Sequence, residues 1–240
     1  MYYGKTDKGR VRKENQDNFG CFEAADCTCL IVCDGMGGAK GGSVASDICV
    51  KKVSAVLKEK INADMTEQDI IRAMNAAVES ANDDVFVLSH NDETLHGMGT
   101  TLVLAVIRGN RLFYTHLGDS RLYAVDESGI KRLTKDHSYV QEMVDIGKIT
   151  AKEAENHPNK NIITNAIGIM INAENEVIAE NLNGKRLLLC SDGLSNMLDD
   201  GKLLEIIYKY GITEKCVDVL IEKANKKGGN DNITAVIYGG

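Results

Sequence analysis

Apolar residues recur along this chain at two distinct periods. Over residues 43–60, Val44, Ala45, Ile48, Cys49, Val53, Val56 and Leu57 fall at helical spacing. A second helix is predicted from Thr66, a good N-cap, with Ile70, Ile71, Met74, Ala77, Val78, Ala81, Val85 and Leu88 on its buried face. A block of strands follows: 100–107 and 111–117 flank the hairpin signal Arg108-Gly109-Asn110, and 121–125 and 130–133 flank 126–129 in the same way. From 138 to 168 the pattern breaks into short amphipathic pieces, with a capping box at Thr150 and Glu153 and the only proline, Pro158. That stretch predicts a small helical insertion on a β scaffold. Strands resume at 176–180 and 186–191, helices at 202–210 and 213–225, and the last strand covers 233–238. Helices grouped in pairs between antiparallel hairpins predict α+β layering rather than a parallel βαβ wind. No repeat or linker divides the chain, so residues 1–240 are expected to form one domain.

Composition narrows the class. With 43% hydrophobic and 26% charged residues the balance is that of an ordinary soluble protein, and a formal charge of −7 argues against a nucleic-acid binder. No apolar run approaches the roughly 18–20 residues that span a bilayer, and the first ten residues lack the apolar core of a signal peptide. The seven cysteines are odd in number and several lie within apolar runs, which suits a reducing, cytoplasmic compartment. Cys21, Cys27, Cys29 and Cys33 are numerous enough to hold zinc. The last three, however, would be spread along one face of a strand rather than gathered around a point, and read as small buried hydrophobes.

Chemistry enters with three aspartates at strand ends, each beside a residue that bends the backbone. Asp34 follows Leu30-Ile31-Val32-Cys33 and precedes Gly35; Asp192 follows Leu187-Leu188-Leu189-Cys190-Ser191 and precedes Gly193; Asp231 sits in Gly229-Asn230-Asp231-Asn232 before the last strand. A buried strand delivers its end residue to one rim of a core, and glycine permits close approach or positive φ. Brought together, these carboxylates would make an all-oxygen site suited to Mg²⁺ or Mn²⁺ rather than zinc. That constellation points to an enzyme.

The series of motifs in which these aspartates stand resembles the metal-dependent Ser/Thr protein phosphatases of the PP2C type, in their compact bacterial form. In order these are Arg12-Lys13-Glu14-Asn15-Gln16-Asp17, Asp34-Gly35-Met36-Gly37-Gly38, Met98-Gly99-Thr100-Thr101, Gly118-Asp119-Ser120-Arg121, Leu133-Thr134-Lys135-Asp136-His137, Ser191-Asp192-Gly193 and Gly229-Asn230-Asp231-Asn232. The resemblance spans essentially the whole chain. It implies an α-β-β-α sandwich of two antiparallel sheets flanked by helices, with the insertion at about 138–168 as a flap beside the active site. It further implies that Asp34 bridges two Mn²⁺ or Mg²⁺ ions, that the Gly35 carbonyl helps hold the second, and that Asp192 and Asp231 complete the first. Asp17 would act through waters, Arg12 would clamp the phosphate, and Asp119 with Asp192 would hold a third, weaker ion. Asp136 is a further candidate near the metals. Two such cations neutralise phosphate oxygens and acidify a bridging water, which attacks phosphorus directly. A planar arginine fork suits phosphate in a way lysine does not.

Three positions depart from the family. Met36 stands where many eukaryotic members carry a histidine proposed as general acid, so the leaving alkoxide must take its proton elsewhere, His137 or Asp136 being the candidates nearby. Ser43 replaces a common acidic residue and is expected to open the first long helix as its N-cap. Gln16 replaces a more frequent glutamate, which weakens one water-mediated contact to the second ion. His116 and His137 read first as structural histidines. The expected function is hydrolysis of phosphoserine and phosphothreonine in proteins, opposing a bacterial Ser/Thr kinase, by a monomer. The alternatives are a catalytically silent binding module on the same fold, which predicts lost ligands, and a phosphatase dedicated to an anti-sigma-type regulator.

Overall fold

Alternation within single strands decides the layers. In β3 (Cys27–Met36), Cys27, Cys29, Ile31 and Cys33 pack against helices, while Leu30 and Val32 pack against a second sheet. β5 (Leu102–Arg108), β10 (Arg186–Cys190) and β11 (Ile233–Tyr238) alternate in the same way, because successive side chains on a strand point to opposite faces. Each strand is therefore apolar on both faces. One sheet has the order β1-β11-β10-β7-β8, with β1 at Tyr2–Asp7, β7 at Arg121–Asp126 and β8 at Gly129–Arg132. The other has the order β2-β3-β5-β6-β9, with β2 at Asp17–Ala24, β6 at Arg111–Leu117 and β9 at Ile178–Asn181, and the short β4 (Gly99–Thr100) pairs with the end of β3. Neighbouring strands pair antiparallel throughout. Helices α1 (Gly38–Lys60) and α2 (Glu67–Asn91) cover the second sheet, and α6 (Asp200–Tyr210) and α7 (Glu214–Lys226) cover the first. The result is the expected α-β-β-α arrangement. The computed structural model describes residues 1–239, with the side chains of Ala39 and Lys40 outside the description.

Local signals account for most boundaries. Thr66 caps α2 in a full capping box with Asp69, and Thr150 does the same with Glu153 for α4 (Ala151–Ala154). Between 138 and 168 lie α3 (Tyr139–Asp145), α4 and irregular turns, and the chain regains the body where Ile167 bridges Thr100. The first long helix is a correction. It begins at Gly38, with Gly37 at φ +116° as its N-cap, so Ser43 lies inside the helix rather than at its start. Glycines at 41 and 42 are poor helix formers, yet a Cβ on Gly42 would come within 2.6 Å of the Gly35 carbonyl oxygen. Close packing on β3 overrides propensity here.

Two strands have weak sequence signatures. β1 (Tyr2–Asp7) zips onto β11 at the edge of its sheet, and β2 (Asp17–Ala24) pairs with β3 in a register that sets Asp17 opposite Asp34. All seven cysteines are free thiols. Among the described residues, no helix is long and apolar enough to cross a membrane.

Candidate functional site

The strand parities that build the core carry on to its rim. Beyond Leu187 and Leu189, the next residue of the same face is Ser191, and beyond Tyr238 and Val236, reading backwards, it is Thr234. On the facing sheet the same face leads from Leu30 and Val32 to Asp34, and from Phe19 to Asp17. Asp17 lies between the sheets, only 6% exposed. Its Oδ2 accepts hydrogen bonds from Ser191 Oγ at 2.6 Å and Thr234 Oγ1 at 2.7 Å, and Ser191 Oγ accepts in turn from the Thr234 N–H at 3.0 Å. The other oxygen, Oδ1, is buried and has no hydrogen-bond partner among the described residues, and the same holds for Oδ1 of Asp192. Buried carboxylate oxygens without a donor are rare in folded proteins and ask for a cation or water.

Asp34 is fixed through its backbone. Its N–H donates to Thr101 Oγ1 at 2.9 Å, and its carbonyl accepts from Thr101 N–H at 2.8 Å and Thr100 Oγ1 at 3.0 Å. Thr101 Oγ1 also meets Ser120 Oγ at 2.7 Å, which ties this strand end to the turn that bears Asp119. Asp192 opens the short helix α5 (Asp192–Ser195), where Asn196 Nδ2 donates to its Oδ2 at 3.0 Å. Gly193 is pressed onto the neighbouring turn: a Cβ there would lie 1.9 Å from the Asn232 carbonyl oxygen. That contact brings Asp192 and Asp231 to the same rim.

Each carboxylate at this rim feels its neighbours. Burial, then the charges of Asp17 and Asp192, push Asp34 well above the usual carboxylate range. Burial first, with like charges behind it, raises Asp17 and Asp119 to about 7 and Asp192 to about 6. Asp231 pairs with Arg12, whose Nη2 donates to Oδ2 at 2.6 Å. Arg12 therefore stands at the cluster, held by a carboxylate.

Among the described residues, no three His, Cys, Asp or Glu side chains close up far enough to hold an ion as they are placed. Arg12 engages Asp231. The donor chemistry nonetheless fits a hard divalent cation. It is all oxygen and rich in carboxylate, and it includes a buried Asp192 oxygen with no partner. Gly35 lies at the same strand end, its N–H donating to the Gln16 carbonyl at 3.2 Å.

The remaining candidates sit around this centre. Asp136 is gripped by two arginines, with Arg121 Nη2 at 2.7 Å and Arg132 Nη1 at 3.3 Å from Oδ2. Its charge still contributes to raising Asp119. His137 stacks on His116 with ring centroids 4.4 Å apart. Burial and the neighbouring His116 lower His137 to about 4, so at neutral pH its ring is uncharged, and its Nδ1 accepts from Gly118 N–H at 3.3 Å. Gln16 donates through Nε2 to the Gly38 carbonyl at 2.8 Å.

Ser191, Thr234 and Asn232 escaped assignment from sequence. Asn232 accepts from Gln16 N–H at 2.8 Å and donates to the Lys8 and Glu14 carbonyls at 2.9 and 2.8 Å, pinning the Arg12 loop to β11. The signal was available for the first two, since both continue the inward parity of apolar strands. Asn232 stands in the Gly229-Asn230-Asp231-Asn232 motif, but the motif alone does not show what its side chain holds.

Known proteins fit this geometry. The family model described as Protein phosphatase 2C matches residues 8–225. The serine/threonine phosphatase stp of Listeria monocytogenes serotype 4b is 38% identical over 235 residues, covering 97% of this chain and 93% of that protein. The solved S. agalactiae serine/threonine phosphatase superposes with a TM-score of 0.93 at 34% identity, over 100% of this chain and 99% of the other. The catalytic domain of the serine threonine protein phosphatase PstP, solved in complex with 2 manganese ions, gives a TM-score of 0.84 at 33% identity, over 99% and 96% of the two chains.

Proposed function

The chain belongs to the protein phosphatase 2C family and is a serine/threonine protein phosphatase, and we propose that it works with two Mn²⁺ or Mg²⁺ ions held by Asp34, Gly35, Asp192 and Asp231. The observation that carries this reading is the gathering of Asp17, Asp34, Asp119 and Asp192 from separate strand ends, each raised by burial and by like charges, beside a buried Asp192 oxygen that lacks a donor among the described residues. Cations held there would neutralise phosphoryl oxygens and acidify water, the two things that hydrolysis of a phosphate dianion needs. A third, weaker ion would use Asp119 with Asp192.

The protein's own groups then have separable tasks. Arg12 spends one Nη2 hydrogen bond on Asp231 and keeps the rest of its planar fork for phosphate oxygens. Asp17, locked through Oδ2 by Ser191 and Thr234, offers Oδ1 to waters around the ions. Asp136 keeps both oxygens on Arg121 and Arg132, and so orients and charges the Asp119 side without ligating. Met36 supplies no proton. In this reading residues 1–240 act as one domain, with 138–168 as a flap that meets the phosphoprotein.

The substrates are phosphoproteins, and a Ser/Thr kinase is the natural opponent of such an enzyme. Seven free thiols support a reducing, cytoplasmic setting, and a monomer is the form proposed. Phosphate release from a phosphothreonine peptide, with Mn²⁺ and with a chelator, tests the proposal. Turnover is expected only with metal. Equal rates in the chelator would overturn the metal reading.

A further inference from the structure

Beyond the carboxylate cluster, one buried side chain holds the segment that leads from the helical insertion back to the body. Asn82, 1% exposed in the middle of α2, donates through Nδ2 to the Met170 and Ile171 carbonyls at 3.0 and 3.1 Å. Its Oδ1 accepts from the Gly168 N–H at 2.8 Å. Both amide hydrogens and the carbonyl of the side chain are thus committed to backbone of 168–171. Among the described residues, no other hydrogen bond reaches that backbone. Ile169, Met170 and Ile171 are exposed, so apolar burial does little to anchor them. Gly168 is pressed on the same helix: at φ +84°, a Cβ there would lie 2.3 Å from Val85 Cγ1.

The residue just before this clamp touches the site's scaffold. Ile167 exchanges both backbone groups with Thr100, at 2.9 and 3.0 Å. Thr100 Oγ1 and the Thr101 N–H both donate to the Asp34 carbonyl, at 3.0 and 2.8 Å. Hydrogen bonds joined by one peptide link, from Gly168 to Ile167, therefore lead from the α2 side chain to the backbone of Asp34.

We infer that Asn82 is a positioning residue for the active site: by clamping 168–171 onto α2 it keeps the Ile167–Thr100 bridge in register and thereby holds Asp34 in place. The inference rests on Asp34 belonging to the metal centre. Asn82 itself touches neither ions nor substrate. A buried asparagine is otherwise a costly choice in an apolar helix face, since each of its polar atoms needs a partner.

Amide exchange and kinetics on the full chain test it together. In Asn82→Ala, protection of the Ile167 and Gly168 amides is expected to fall at least tenfold, while that of β5 and β6 (Arg111–Leu117) stays at the parent level. Turnover of a phosphothreonine peptide should fall about tenfold in kcat, with a smaller change in KM. Thr100→Val, which removes the Oγ1 bond to Asp34, should not add its full loss to that of Asn82→Ala, because both act along one path. Asn82→Leu removes the same hydrogen bonds without leaving a cavity or burying a charge, and serves if the alanine variant does not fold. Unchanged exchange at Ile167 and Gly168, a loss confined to KM, or fully additive losses would each overturn the inference. A parent protein without metal-dependent turnover would sink the functional reading instead, and the exchange measurement would still decide whether the clamp exists.

Discussion

Ser191 Oγ donates to Asp17 Oδ2 at 2.6 Å, a hydrogen bond that crosses from one sheet of the sandwich to the other. Thr234 Oγ1 supports the same oxygen at 2.7 Å. These two hydroxyls join the sheets at the rim where the carboxylates gather, and they oppose the burial that drives Asp17 towards its neutral form. Ser191→Ala leaves the buried carboxyl with one donor fewer. A loss of about 1–3 kcal/mol is the scale for such an uncompensated group. In a chain of this size each kcal/mol moves Tm by about 2–4 °C, so a thermal melt should show a clear drop. A melt within a degree of the parent would mean that the bridge contributes nothing.

The raised aspartates make stability depend on pH and metal together. Asp17 and Asp119 lie at about 7 and Asp192 at about 6, against an ordinary value of about 3.9 for an unfolded aspartate. A group whose folded pKa is raised favours the folded state fully below the unfolded value, and loses that contribution as pH climbs through the folded value. The metal-free protein should therefore melt lower as pH rises from about 5 to 8. Cations that bind the ionised form reverse the loss, so Mn²⁺ should raise Tm more at pH 8 than at pH 5. A metal-free melting temperature flat across this range would remove the electrostatic coupling from the site.

Much of this architecture was legible before the structure because strand parity and local caps carry it. Thr66 with Asp69 and Thr150 with Glu153 announce their helices by chemistry confined to four residues. β1 and β2 were not legible, because their mixture of aromatic, glycine and charged residues becomes a strand only when β11 and β3 offer ladders to pair with. The start of α1 was hidden for a related reason: Gly41 and Gly42 read as loop, and only the contact with Gly35 explains them as helix. The carboxylates announced themselves by their turns. The groups that aim and support them did not, since Ser191, Thr234 and Asn82 act through partners distant in sequence.

Arg12 is half exposed and tied to Asp231 by one nitrogen. Arg12→Lys preserves the charge but replaces a planar fork of five N–H groups with a point donor. Recognition of phosphate should weaken by about 1.5–3 kcal/mol in kcat/KM, the scale for hydrogen bonds to charged groups. Steady-state kinetics with a phosphothreonine peptide measure it directly. Parent-like kcat/KM would leave Arg12 as a partner of Asp231 and nothing more.

The aspartates themselves should separate into two classes when replaced. Asp34→Asn and Asp192→Asn each remove an anionic donor from the centre, and either should cut turnover to below about a tenth of the parent rate at saturating Mn²⁺. Neither should harm the fold, because both replace a carboxyl already pushed towards its neutral form by a neutral group of the same shape. The metal-free melt should hold or rise as like-charge repulsion is relieved. Asp119 lies on the turn after β6, where its charge acts on both Asp34 and Asp192. Asp119→Ala should leave calorimetric binding of the two tighter ions intact while lowering turnover and shifting its Mn²⁺ dependence to higher concentration. If Asp119→Ala abolished tight binding as completely as Asp34→Asn does, the weaker third site would have no separate existence, and Asp119 would belong to the core.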